Sequence, residues 1–131
     1  MVHKIISPLH VTIPRKTKKD RRIALNMNVY RNIHHSVNGQ AKKLYLEAVR
    51  EQLECLQIQT PVEITYQVFK PTKRILDKMN VISVVSKFLL DAITELGCWE
   101  DDNDLYIKTE KILPTEIDRI NPRVEVTIKE I

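Results

Sequence analysis

Residues 77–104 read DKMNVISVVSKFLLDAITELGCWEDDND, and the fold turns on how this run is interpreted. Val81, Val85, Phe88, Ala92 and Leu96 recur at spacings of four, three, four and four. That is the core-facing stripe of an amphipathic helix. Gly97 follows the last apolar turn, where helices stop on a residue with positive φ. Asn80, Lys87 and Asp91 fall at spacings of seven and four and share one side of the same helix. Trp99 then precedes the acids Glu100, Asp101, Asp102 and Asp104. A helix that begins at one carboxylate and ends beside several is expected to gather acids into one place, as a hard cation such as Mg²⁺ requires. Plainer roles stand beside that one. Asp77 suits a helix cap, Asp91 suits a solvated position or an i,i+4 pair with Lys87, and WEDDND suits a polar loop.

On the C-terminal side, Leu105 to Leu113 predicts a strand that Pro114 breaks. Val124, Val126 and Ile128 alternate with Glu125, Thr127 and Lys129, the pattern of a half-buried strand after Pro122. On the N-terminal side, Val62 to Phe69 alternates in the same way and predicts a strand opened by Pro61. KPTKR forms the turn into the long helix and sets Lys70, Lys73 and Arg74 beside Asp77. Gln40 to Leu56 predicts a second helix, with Leu46, Val49, Leu53 and Leu56 on its apolar side and Asn38 or Ser36 as its cap. His3 to Ile13 predicts one strand interrupted by Pro8, at a sheet edge or a bulge. Residues 14–37 are expected to form a basic arm and an irregular loop, because PRKTKKDRR has no apolar period and the following Asn- and His-rich run resists regular structure. The order predicts a small α/β domain over residues 1–131, with two main helices on one mixed sheet.

The chain has 131 residues and a formal net charge of +4. The charge is uneven: residues 1–50 sum to +9 and residues 51–131 to −5. A basic front and an acidic rear suit a protein that grips a polyanion and presents carboxylates to it; a solvated basic loop is the plainer alternative. Cys55 and Cys98 stand alone and are expected to be reduced. No apolar run is long enough for a membrane span, and the N-terminus shows no secretory signal, so a cytoplasmic protein is expected. Two glycines leave no room for a phosphate-cradling nucleotide loop. His34 and His35 are adjacent, and an extended chain would send them to opposite faces, so no zinc site is expected.

The run KFLLDAITELGCWEDDND resembles the signature of the RusA-type Holliday-junction resolvases. It has a Lys, an Asp four residues on in a DAL-like triplet, and then G-x-W-x-D-D. Lys87, Asp91, Gly97, Trp99, Asp101 and Asp102 fall at that family's spacing, within a match that spans residues 70–112. The resemblance implies a homodimeric α/β endonuclease, of a kind common in phages and prophages. It would use Mg²⁺, or Mn²⁺ in its place, to set paired symmetric nicks across a four-way DNA junction. That implies work in recombination or repair inside a bacterial or phage-infected cell. The family's upstream D-x-D-N motif, matched on its first residue, falls on Asp77, Lys78, Met79 and Asn80, with Ser83 where a Lys is expected. One carboxylate is then replaced by Met79, and the helix runs about one turn longer before Lys87. Matched backwards from Lys87, the two acids fall on Val81 and Ser83.

On this resemblance the catalytic residues would be Asp77, Asn80, Lys87, Asp91 and Asp102. The metal ligands would come from Asp77, Asp91, Asp101 and Asp102. Arg15, Lys16, Lys18, Lys19, Arg21, Arg22, Lys73 and Arg74 would bind phosphates. Met79, in a run with Val81 and Ile82, is expected to turn toward the core. A junction-binding dimer with a degraded metal site is the alternative.

Overall fold

The computed structural model describes all 131 residues, in the order β1 (Val2–Ser7), β2 (His10–Ile13), β3 (Arg21–Ala24), α1 (Met27–Asn32), α2 (His35–Leu53), β4 (Val62–Lys70), α3 (Lys78–Glu95), β5 (Ile107–Ile112), β6 (Glu116–Ile117) and β7 (Arg123–Glu130). Four strands run side by side as β1–β7–β4–β5, and β6 continues the β5 edge along the far end of β4. The β1–β7 and β7–β4 pairs are antiparallel, while β5 and β6 lie parallel to β4. The sheet is therefore mixed, as the order of elements predicts.

Alternation along the strands gives the sheet one wet and one dry face. Val62, Ile64, Tyr66 and Val68 of β4 and Val124, Val126 and Ile128 of β7 are buried on the helix side. The other face carries charge, with Arg123 bridging Asp118 and Glu125, and Lys4 reaching Glu125. The helices cover the dry face. Nine of the eighteen residues of α3 are buried, more than one stripe can supply, because this helix has the sheet on one side and α1 and α2 on another. The rings of Tyr30 on α1 and Tyr45 on α2 meet Phe88 of α3 edge-on, at 6.2 and 5.7 Å between centroids. Leu96 is only partly buried at the end of the predicted stripe. Gly97 has φ of +72° and ends the helix as its position predicts. No helix is long and apolar enough to cross a membrane.

The first third of the chain is more regular than its composition suggests. The expected strand from His3 to Ile13 is two strands in different sheets. Pro8 cannot donate to a ladder, and the chain turns there, leaving β1 at the main sheet edge while β2 pairs with β3 in a separate hairpin. Arg21 and Arg22 lie in β3 rather than in an arm, so only residues 14–20 form an exposed connecting loop. The run expected to be irregular forms α1 and the start of α2. Asn26 caps α1 by accepting from the Val29 N–H at 2.9 Å. His34, not Asn38 or Ser36, caps α2, its Nδ1 accepting from the Ser36 N–H at 3.1 Å. His34 and His35 do not diverge, because a helix starts there instead of an extended chain; their rings lie 4.2 Å apart.

Candidate functional site

Asp77 is the N-cap of α3, with Oδ1 accepting from the Met79 N–H at 3.1 Å. Its role as cap is therefore the one its position imposes. Asp91 lies fourteen residues later on the same helix. At 1.5 Å per residue the two are about 21 Å apart along the axis. One chain thus does not bring Asp77 to the other acids, contrary to the expectation that α3 gathers them. A straight helix separates its ends as surely as it aligns its faces. Asn80 stays with Asp77 at the first turn, its N–H reaching the Asp77 carbonyl at 3.1 Å. Met79 is 47% exposed, not turned into the core, because Val81 and Ile82 already occupy the inward positions of that turn.

Asp101 and Asp102 are held at the other end of α3. Cys98 and Trp99 are buried directly after Gly97, and the Trp99 indole N–H donates to Thr94 Oγ1 at 2.6 Å. The Ile58 N–H donates to the Cys98 carbonyl at 2.8 Å. These anchors hold the following loop against the last turn of α3. The Asp102 N–H donates to Asp101 Oδ1 at 2.8 Å, and this bond keeps the Asp101 carboxyl below the usual carboxylate range. Asp102 is pushed the other way, first by partial burial, then by the Asp101 carboxylate against it and by the charge of Asp91. Asp102 therefore feels the charge of both Asp101 and Asp91. Glu100 is turned aside to accept from the Tyr106 hydroxyl at 2.7 Å.

No three His, Cys, Asp or Glu side chains in the chain form a ready cage for a metal ion. Mg²⁺ asks for less, since it keeps several waters and takes one or two carboxylates plus substrate phosphates. The pair Asp101 and Asp102, with Asp91 behind it, meets that smaller demand. The raised Asp102 carboxyl is a group that a cation would relieve.

Two lysines stand near Asp91. Asp91 Oδ2 is 2.7 Å from Lys42 Nζ of α2, not paired with Lys87 one turn earlier on its own helix. Lys87 is exposed and lines a groove with Lys42, Arg31 and His35. The expected phosphate-binding residues lie elsewhere. Arg15, Lys16, Lys18 and Lys19 are exposed at the tip of the β2–β3 hairpin, where Arg15 Nε donates to the Lys19 carbonyl at 2.7 Å. Arg22 Nη2 is 3.0 Å from His10 Nδ1 on the neighbouring strand, and Arg21 is exposed at the start of β3. Lys73 and Arg74 are exposed in the turn before α3. Sequence reasoning passed over Arg31, His35 and Lys42 because their meeting with Lys87 depends on how three helices pack. One signal was available: Gly39, an unfavourable residue inside a helix, stands three positions before Lys42.

The fold and site define a small α/β protein with a one-sided mixed sheet, an acidic loop at the end of its central helix, and cations on the helices beside it. No protein-family model matches the chain, and no curated protein matches it.

Proposed function

We propose that this protein is a Mg²⁺-dependent endonuclease that acts on four-way DNA junctions as a homodimer. The observation that carries this reading is the acidic pair Asp101 and Asp102 directly after α3, with Asp91 of that helix held by Lys42, which shares a groove with Lys87. Metal-assisted hydrolysis of a phosphodiester uses carboxylates and cations side by side, and the resemblance of residues 87–102 to RusA-type resolvases points to the same chemistry. Mg²⁺, when bound, would supply Lewis-acid polarisation of the scissile phosphate and an activated water. Asp102 and Asp101 would hold it, with Asp91 adding negative charge behind them. Lys87 would stabilise the charge that builds on the phosphoryl oxygens. The hairpin residues Arg15, Lys16, Lys18, Lys19, Arg21 and Arg22 would grip backbone phosphates without reading sequence, as would Lys73 and Arg74 beside α3.

A second copy gives Asp77 and Asn80 a place in this scheme. They stand at the opposite end of α3 from Asp102, so a site that used both ends would have to draw on two chains. Exposed apolar side chains stand at that end. Leu76 precedes the Asp77 cap, Met79 lies in the first turn of α3, and Leu113 and Ile117 lie along the β5–β6 edge, beside the same end of β4. A two-fold dimer would cover them and present two equivalent sites to two equivalent strands.

The test is cleavage of a synthetic four-way junction against a linear duplex, with and without Mg²⁺. Metal-dependent paired nicks in the junction alone are expected. Tight junction binding without cutting would support the second reading, a binding dimer with a degraded site. That reading is favoured by Met79 standing where the resembled motif has an acid. Sedimentation of the free protein tests the dimer.

A further inference from the structure

Gly39 sits in the second turn of α2 with open space around it: a Cβ added there would meet no atom within 4 Å. No neighbouring backbone therefore requires a glycine, and its φ is not positive. An alanine would make a better helix. What Gly39 does is line a groove of about 490 Å³ between α1, α2 and α3, together with Arg31, His35, Asn38, Lys42 and Lys87. The absent side chain leaves the α2 backbone open to something that lies in the groove.

The chemistry of the walls says what. Arg31, Lys42 and Lys87 are cations contributed by three different helices, and His35 adds a ring nitrogen. Lys42 alone among them has a carboxylate partner, Asp91. The Asn38 side chain is held by its bond to the Tyr30 carbonyl at 2.9 Å, which fixes α1 against α2 at the groove floor. Helices that converge two unpaired cations, Arg31 and Lys87, with a third held by Asp91, on a channel open at the surface build a seat for an extended anion. The next depression on α2 shares Gly39 and Lys42 but is of mixed charge, since Glu47 and Glu95 line it with Lys43 and Arg50 and Glu47 holds Arg50 at 2.8 Å, so the cationic seat is the groove itself.

We infer that the groove between α1, α2 and α3 seats phosphodiesters of a nucleic-acid backbone and leads the strand past Gly39 to the acids at the end of α3. This rests on the nuclease reading for its ligand and goes beyond the hairpin cations for its place. Lys42 is the link, since it touches Asp91 and faces the groove.

The inference is tested by anisotropy titrations of the full chain with a labelled four-way junction and a labelled duplex, Ca²⁺ replacing Mg²⁺, over a series of KCl concentrations. Three variants are compared: Gly39→Glu, the double Arg31→Gln/Lys42→Gln, and the hairpin triple Lys16→Ala/Lys18→Ala/Lys19→Ala. Gly39→Glu is expected to weaken binding by about tenfold or more with no fall in thermal midpoint, since Glu suits a helix better than Gly. The double variant is expected to reduce the slope of log K against log salt by about 1.8, for two lost phosphate contacts. Wild-type binding with neither change in the groove variants overturns the inference and leaves the nuclease reading standing. Groove-dependent binding without Mg²⁺-dependent cutting upholds the inference and defeats the nuclease reading alone. Absence of DNA binding by the wild type at low salt overturns both.

Discussion

Lys42 Nζ on α2 and Asp91 Oδ2 on α3 stand 2.7 Å apart and join the two helices that carry the cations and the acids. The pair is half open to solvent, with side-chain exposures of 42% and 33%. Asp91 lies one turn before the end of α3, and Lys42 supplies its counter-charge from the neighbouring helix.

Lys42→Met should therefore cost little stability, under about 1 kcal/mol, as partly exposed pairs usually do. DNA affinity should fall more clearly than stability. Urea unfolding and anisotropy on the same protein separate the two. A loss well above that bound would make the pair structural first.

Asp102→Asn should abolish cutting and leave the fold at least as stable. Burial and the neighbouring acids raise the Asp102 carboxyl. A raised carboxyl favours the folded state at low pH, and that contribution is lost as pH rises through its folded value. Removing the charge should raise the thermal midpoint at neutral pH and change little at about pH 3, below the ordinary Asp value. Residual nicking by the variant would remove Asp102 from the site.

Met79→Asp restores the acid of the resembled motif at a position that is 47% exposed. No buried charge results. The new carboxylate sits in the first turn of α3, where the helix dipole contributes about 0.3–1 kcal/mol in its favour. An unchanged or raised thermal midpoint is expected, with half-maximal cutting at lower Mg²⁺. An unchanged Mg²⁺ demand would mean that the start of α3 takes no part in holding the ion.

Tyr45→Phe tests the packing that sets α2 in place. The Tyr45 hydroxyl is buried and donates to Ser7 Oγ at 2.7 Å, and Ser7 Oγ donates to the Pro8 carbonyl at 3.0 Å. Removing the hydroxyl leaves Ser7, itself fully buried, with one partner fewer, and should cost about 1–3 kcal/mol. Chemical denaturation reads this directly. A near-neutral result would show that Ser7 finds another partner where β1 turns into β2.

The long helix, its stop at Gly97 and the strands β4 and β7 were legible in the sequence because their periods are local and strong. A strand that alternates over eight residues, or a helix with a long apolar stripe, carries its own evidence. The region from Asn26 to Asn38 was not legible in that way. Its caps are an Asn and a His, and α1 buries none of its residues fully, so it has no clear apolar stripe to declare a helix. The site divided along the same line. Asp101 and Asp102 are neighbours in sequence and stay neighbours in space. Asp77 and Asp91 share a helix, and the rise of that helix holds them about 21 Å apart, a distance that residue spacing states once the helix is accepted.

The sequence by itself determined a small α/β chain with a basic front, an acidic rear and a central amphipathic helix ending in acids. Those properties depend on composition and on spacings of two to four residues. Only the tertiary structure decided that Lys42 answers Asp91, that Met79 faces water, and that Arg31, His35 and Lys87 share a groove with Gly39. Each of these depends on the rotation of one helix against another, which is set by side chains such as Tyr30, Tyr45 and Phe88 interlocking across the core. Contacts between residues dozens of positions apart have no period for a single sequence to display.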